Sequence, residues 1–213
     1  MKNIFFSLKE LCSQSAMQLK YLRDNPNKKP KITDKQYSGI NYQTEIFNKL
    51  NDNKITQECG NFCAIENIII YYSNDIILHR SIIEVKNIIG DYNEYYLQNS
   101  LLQCAIYKSF IDYNNQYIYT SKFYENKIND KFHVQLPNNF KYFLLFGNQA
   151  FEIFNLDSRN LFDFIFSKAL ASLEYATAKD FDKVYKHNEF ELLKHNFLYK
   201  KIGNFDDLNR IIC

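Results

Sequence analysis

Two carboxylates and a lysine form the group best suited to chemistry: Glu66, Glu84 and Lys86. They lie in the run CAIENIIIYYSNDIILHRSIIEVKNI, where two β-rich stretches flank the polar triplet Ser73-Asn74-Asp75. Read as a turn, the triplet predicts an antiparallel hairpin with strands near 63–72 and 76–87. Centred near Asn74–Asp75, that turn sets Glu66 opposite residues 82–84. Cross-strand neighbours of this kind lie ~4.5–5.5 Å apart. Strand side chains alternate, so Glu84 and Lys86 share a face, with Ile83 and Val85 on the other. Charges in so apolar a strand pair need a partner or a metal. Carboxylate oxygens are hard ligands for Mg²⁺ or Mn²⁺. An ion held there polarises a phosphoryl oxygen and lowers the pKa of a bound water, while a lysine steadies the negative charge that develops. That is the chemistry of phosphodiester hydrolysis. The competing reading is an ordinary salt-bridged strand face, which an isolated Glu-x-Lys in a lysine-rich chain favours; the upstream acid in register tips the balance to chemistry. On this reading Asp75 is excluded as the upstream acid. At the hairpin tip it stands nine residues from Glu84, roughly 30 Å at ~3.3 Å per residue.

The elements that must position these groups follow from periodicity. An apolar stripe through Ile4, Leu8, Leu11, Ala16, Leu19 and Leu22 predicts a helix over 3–23, and Ile40, Ile46, Phe47 and Leu50 predict another over 38–51. Pro26, Pro30 and Lys28, Lys29, Lys31 and Lys35 mark the stretch between them as a solvated loop. After the hairpin come a helix over 92–113, a strand over 117–123, a hairpin of 141–146 with 150–156 around Gly147-Asn148, and helices over 158–177 and 180–198. The order gives one mixed α/β domain spanning 1–213.

Composition narrows the class. With 46% apolar residues in 213, the chain has enough to bury a core, and disorder is excluded. A net charge of +2 makes any nucleic-acid surface local. Cys12, Cys59, Cys63, Cys104 and Cys213 have neither disulfide nor zinc spacing and read as structural thiols in a reducing compartment. The N-terminus has no signal-peptide pattern, and no apolar run reaches the ~18 residues of a membrane span. The expected location is therefore intracellular (cytoplasm, nucleus or a viral replication site), with no membrane partner. His79, His133, His187 and His195 lack ligand spacing, and Asp182 reads as part of a solvated helix face. The 17% aromatic content could offer base-stacking platforms, although core packing accounts for most of it.

The runs AIENIII and SIIEVKN resemble the paired motifs of the PD-(D/E)XK nucleases, an acid on one strand and (D/E)-x-K on the next. Gln103-Cys-Ala-Ile-Tyr107 resembles the QxxxY signature of the RecB-type and lambda-exonuclease-type branches, with Gln98 a rival for the glutamine. YSGINYQTEIF resembles the branch's first-helix opening, with Glu45 at the place of its carboxylate. The resemblance covers roughly residues 12–125. It implies a restriction-endonuclease-like mixed β-sheet flanked by helices, and Mg²⁺ or Mn²⁺ on Glu66, Glu84 and the Val85 carbonyl, assisted by Glu45. Lys86 would be the catalytic lysine, and Gln103 and Tyr107 would position the water or the phosphate. The implied activity is DNA hydrolysis in replication or repair, with exonuclease action preferred. A catalytically inactive module binding nucleic acid or protein and an RNA endonuclease are the alternatives. Two departures stand out: Glu66 where Asp is usual, and Tyr42 where the RecB-type branch has a metal-binding His. Relatives with an iron–sulfur cluster use four cysteines, of which only Cys12 and Cys213 have counterparts here, so no cluster is expected.

Overall fold

The computed structural model describes residues 3–28, 33–50, 55–78, 80–88, 92–114, 117–120, 133–135, 140–185 and 188–212. In chain order these form β1 (Ile4–Ser7), α1 (Leu8–Ser13), α2 (Ala16–Asp24), a 3-10 turn (Pro26–Lys28), α3 (Asp34–Leu50), β2 (Ile55–Ile65), β3 (Ile68–Leu78) and β4 (Ser81–Lys86). Then follow α4 (Glu94–Asn114), β5 (Tyr117–Thr120), β6 (His133–Gln135), β7 (Lys141–Phe146), β8 (Gln149–Asn155), α5 (Ser158–Ala171), α6 (Tyr175–Tyr185), α7 (Glu189–Leu193), β9 (Phe197–Gly203) and α8 (Phe205–Ile212).

The strands join one mixed sheet in the order β6-β5-β2-β3-β4-β7-β8-β9, with β1 paired to β3. The β1–β3 and β4–β7 pairs are parallel and the rest antiparallel. Helices cover both faces, which makes this an α/β domain. On one face Ile70, Tyr72, Ile82, Tyr142, Leu144 and Phe151 pack under α1, α4 and α5. On the other, Ile76, Ile83, Val85, Phe143 and Leu145 meet Ile46 and Leu50 of α3 and Leu208 of α8. Helix α4 lies under α5 as well as on the sheet, which is why it carries buried apolar residues round most of its circumference. Among the described residues no helix is long and apolar enough to cross a membrane.

The α3, α4 and β7–β8 elements agree with the sequence reading. Three others do not. The stretch 3–23 opens as a strand, because Ile4–Ser7 finds a parallel partner in Ile68–Tyr71, and then breaks between α1 and α2. The stretches 158–177 and 180–198 divide differently: α5 stops at Ala171, α6 runs from Tyr175 to Tyr185, and the last residues enter β9, the sheet edge, whose exposed Lys200 and Lys201 suit an unpaired border. The third correction decides the site. The hairpin turns at Glu66–Asn67, pairing Ile65 with Ile68, and Ser73-Asn74-Asp75 runs inside β3. His79, His187, Cys213, Lys29, Lys31 and residues 121–123 lie outside the described residues, as do the side chains of Lys35, Cys59 and His133. His195 is exposed.

Candidate active site

The edge of β3 that faces β4 is shared. Strand β1 takes Ile68–Tyr71 of it, and β4 takes Ile76–Leu78 through Ile83, Ile82 and Ser81. One step further along that register Glu84 falls opposite Asp75, where β4 leaves β3 and stays paired only with β7. Side-chain alternation on β3 also breaks here. Ile70 and Tyr72 lie on the α4 face, and buried Asn74 joins them by accepting from the Tyr142 hydroxyl at 3.3 Å. Yet it is Ile77, not Ile76, that continues that face. Asp75 is the residue at the break, and its side chain reaches into the fork.

Four side chains meet there. The Val85 amide donates to Asp75 Oδ2 at 2.8 Å. Lys86 Nζ donates to Glu84 Oε1 at 2.7 Å, and Gln103 Nε2 of α4 donates to the same oxygen at 3.3 Å. Glu84 is 3% exposed, and its Oε2 is buried with no hydrogen-bond partner among the described residues. Tyr107, one turn along from Gln103, is 2% exposed, hydrogen-bonds Gln103 and packs on Tyr72. Its hydroxyl meets the cluster through Gln103. Gln98 is half-buried, and Gln103 is the glutamine that meets the cluster.

The electrostatics follow from two acids sharing one cation. Burial and then the neighbouring Glu84 push Asp75 up to about 7, against the opposing pull of Lys86 and the Val85 amide. Burial alone would lower the Lys86 ammonium, but Glu84 and Asp75 outweigh it and hold the pKa above the ordinary lysine range. Lys86 is therefore charged throughout the physiological range. Burial also raises the Tyr107 and Cys104 pKa values, so both stay neutral.

Two of the expected ligands stand elsewhere. Glu66 is exposed at the β2–β3 turn, in the left-handed region at φ 54°. It is nine residues from Asp75, roughly 30 Å at ~3.3 Å per residue, too far to share an ion with Glu84. Glu45 is an exposed residue of α3, bonded to Lys49 at 2.6 Å. From that helix the side chain that reaches the fork is Gln43, whose amide donates to the Asp75 carbonyl at 3.3 Å, while Tyr42 donates to the Gly147 carbonyl at 2.7 Å. Asp75 was the acid that sequence reasoning set aside. The signal that could have found it is a polar triplet inside an apolar strand, ending nine residues before Glu84-x-Lys86.

No group of three or more His, Cys, Asp or Glu side chains converges among the described residues. The donor set at the fork suits a divalent ion all the same: two carboxylates, one with an unpartnered buried oxygen and one whose pKa burial and the neighbouring Glu84 raise to about 7. A strand residue sends its N–H and C=O to the same edge, so the Val85 carbonyl also opens towards Asp75. All three donors are oxygens, as Mg²⁺ and Mn²⁺ require. No family model matches the chain, and no curated protein matches it.

Proposed function

We propose that the chain is a metal-dependent nuclease of the PD-(D/E)XK type that hydrolyses phosphodiester bonds of DNA, with Asp75, Glu84 and Lys86 as its catalytic residues. The observation that carries this reading is the Asp75–Glu84 pair at the fork with Lys86 beside it and one Glu84 oxygen unpartnered. With Asp75 in place of Glu66, the order becomes Asp75, Glu84-x-Lys86, Gln103-x-x-x-Tyr107. That supplies the family's usual Asp and removes one of the departures noted above.

Mg²⁺ or Mn²⁺, when bound, supplies a polarised phosphoryl oxygen and a water of lowered pKa. Asp75, Glu84 and the Val85 carbonyl would hold it. Gln103 fixes the Glu84 carboxylate through Oε1, which leaves Oε2 for the ion. Lys86, kept charged by the two acids, orients the attacking water and offsets the charge that develops on the phosphate. Packing of Tyr107 against Tyr72 holds Gln103 in place from behind.

End-labelled linear DNA and a covalently closed circle, each incubated with Mn²⁺, test the activity and its mode. Wild type should degrade the linear substrate and spare the circle, and Lys86→Ala should fall at least a hundredfold. Equal release by wild type and Lys86→Ala overturns the nuclease reading. Equal attack on the circle overturns exonuclease action alone.

A further inference from the structure

The fork continues across the sheet as a row of side chains that the catalytic proposal does not use. Lys86 is in register with Phe146, and Phe146 with Gln149. Lys201 of the edge strand β9 donates to Gln149 Oε1 at 2.8 Å. The row thus runs from the carboxylates to a second, exposed lysine at the sheet border.

Exposed tyrosines stand along it. Tyr92 and Tyr96, at the start of α4, pack on Phe146 with ring centroids 6.3 and 5.1 Å away, yet are 50% and 40% exposed. Tyr199, 46% exposed, packs edge-on against Phe151 at 6.2 Å on the same sheet face. Tyr199 is near enough to Tyr92 to bear on the ionisation of its phenol. The Tyr92 hydroxyl donates to Glu94 at 2.6 Å, which fixes its ring before anything binds. Each of these rings is anchored by one edge on a buried aromatic and leaves the remainder to solvent.

We propose that this row is a binding track for single-stranded DNA, with bases stacking on Tyr92, Tyr96 and Tyr199 and the backbone drawn along by Lys86 and Lys201 towards the fork. It rests on the nuclease reading above and adds the substrate's strandedness. Tyrosine faces offer a platform only to bases that are unstacked, which a duplex does not present. The charge agrees. The row offers only Lys86 and Lys201 to the phosphates, so stacking must supply much of the affinity. Aromatic rings interleaved with a few lysines make the usual platform for a single strand.

Fluorescence anisotropy with labelled oligo(dT), its duplex with oligo(dA), and oligo(U), all in EDTA, separates this proposal from the nuclease reading, because no cleavage is needed. Wild type should bind the single DNA strand at least tenfold more tightly than the duplex. Tyr199→Ala and Tyr92→Ala should each weaken it roughly 5- to 100-fold, and Tyr199→Phe, which keeps the ring, should restore it. Lys201→Ala should flatten the salt dependence by about 0.7 in slope. Preference for duplex or for oligo(U), or alanine variants that bind like wild type while retaining the wild-type circular dichroism, overturns the track. Single-strand binding lost in these variants, in a protein that cleaves nothing with Mn²⁺, would sustain the track while the nuclease reading falls.

Discussion

At the β3–β4 fork two carboxylates share one lysine, whereas between α5 and α7 one lysine meets one carboxylate. Lys168, 1% exposed, donates to Glu189 at 2.8 Å and lies 6.0 Å from the centre of the Phe164 ring. Close by, buried Asp182 spends both carboxylate oxygens on the Ala16 and Met17 amides, which start α2. Both groups pack on the same face of the sheet, and Cys12 lies close enough to sense both ion pairs. The difference lies in how the carboxylate oxygens are satisfied. The second region also has two acids near one lysine, but both Asp182 oxygens accept backbone amides, Glu189 takes Lys168, and neither acid has a buried oxygen without a partner among the described residues, so the group holds helices together. The fork has a buried oxygen without a partner, a state that costs stability in the absence of a cation.

The comparison is sharpest in stability measurements on metal-free protein. Lys168→Met leaves the half-buried Glu189 without its cation and should cost about 2–3 kcal/mol in denaturant unfolding. Asp75→Asn removes one of two repelling acids and should cost little or even stabilise. If both variants lose stability equally, the fork is a structural ion pair like the other.

pH gives a second separation. The folded-state pKa of Asp75 is raised to about 7, above its value of about 3.9 in an unfolded chain. The folded state then binds the extra proton, so the favourable contribution is complete below about pH 4 and is lost as pH rises through about 7. Chemical denaturation of the metal-free protein across pH 4–8 should show this fall in wild type and a shallower one in Asp75→Asn. An identical slope in the two would contradict the like-charge account.

Asp182→Asn tests the second region more gently. It keeps an acceptor for α2 but loses the charge and one of two bonds, and about 1–2 kcal/mol should go. The smallest effect is expected at Glu66. Its left-handed backbone disfavours a side chain, so Glu66→Gly should be neutral to about 1 kcal/mol stabilising in the same assay. A large loss there would mean that the Glu66 side chain makes contacts beyond the turn.

Much of the fold was legible because its elements carry local signatures. Gly147-Asn148 marks a real hairpin turn, and the 92–113 stretch is long enough to read as a helix and to bring Gln103 to Glu84. Glu84-x-Lys86 was legible for the same reason, since alternation along one strand needs no tertiary information. What failed was register. Ser73-Asn74-Asp75 has better turn chemistry than Glu66-Asn67, yet the chain turns at the poorer signal. The polar triplet is retained in β3 because Asn74 meets Tyr142 and Asp75 meets Val85, contacts that exist only once β4 and β7 are in place. Local rules fail most informatively at such positions, where tertiary contacts override propensity. Strand β1 was missed for a related reason: Ile4–Ser7 becomes a strand only beside Ile68–Tyr71, more than sixty residues away.

Calorimetric titration of Mn²⁺ into the apo-protein at neutral pH tests the central claim most directly, with wild type, Asp75→Asn, Glu84→Gln and Glu66→Gln compared. Wild type and Glu66→Gln should take up the ion alike and release a proton as they do so, while Asp75→Asn and Glu84→Gln should lose the binding at least a hundredfold. Wild-type affinity in Asp75→Asn, or its loss in Glu66→Gln, would contradict a metal site at the β3–β4 fork.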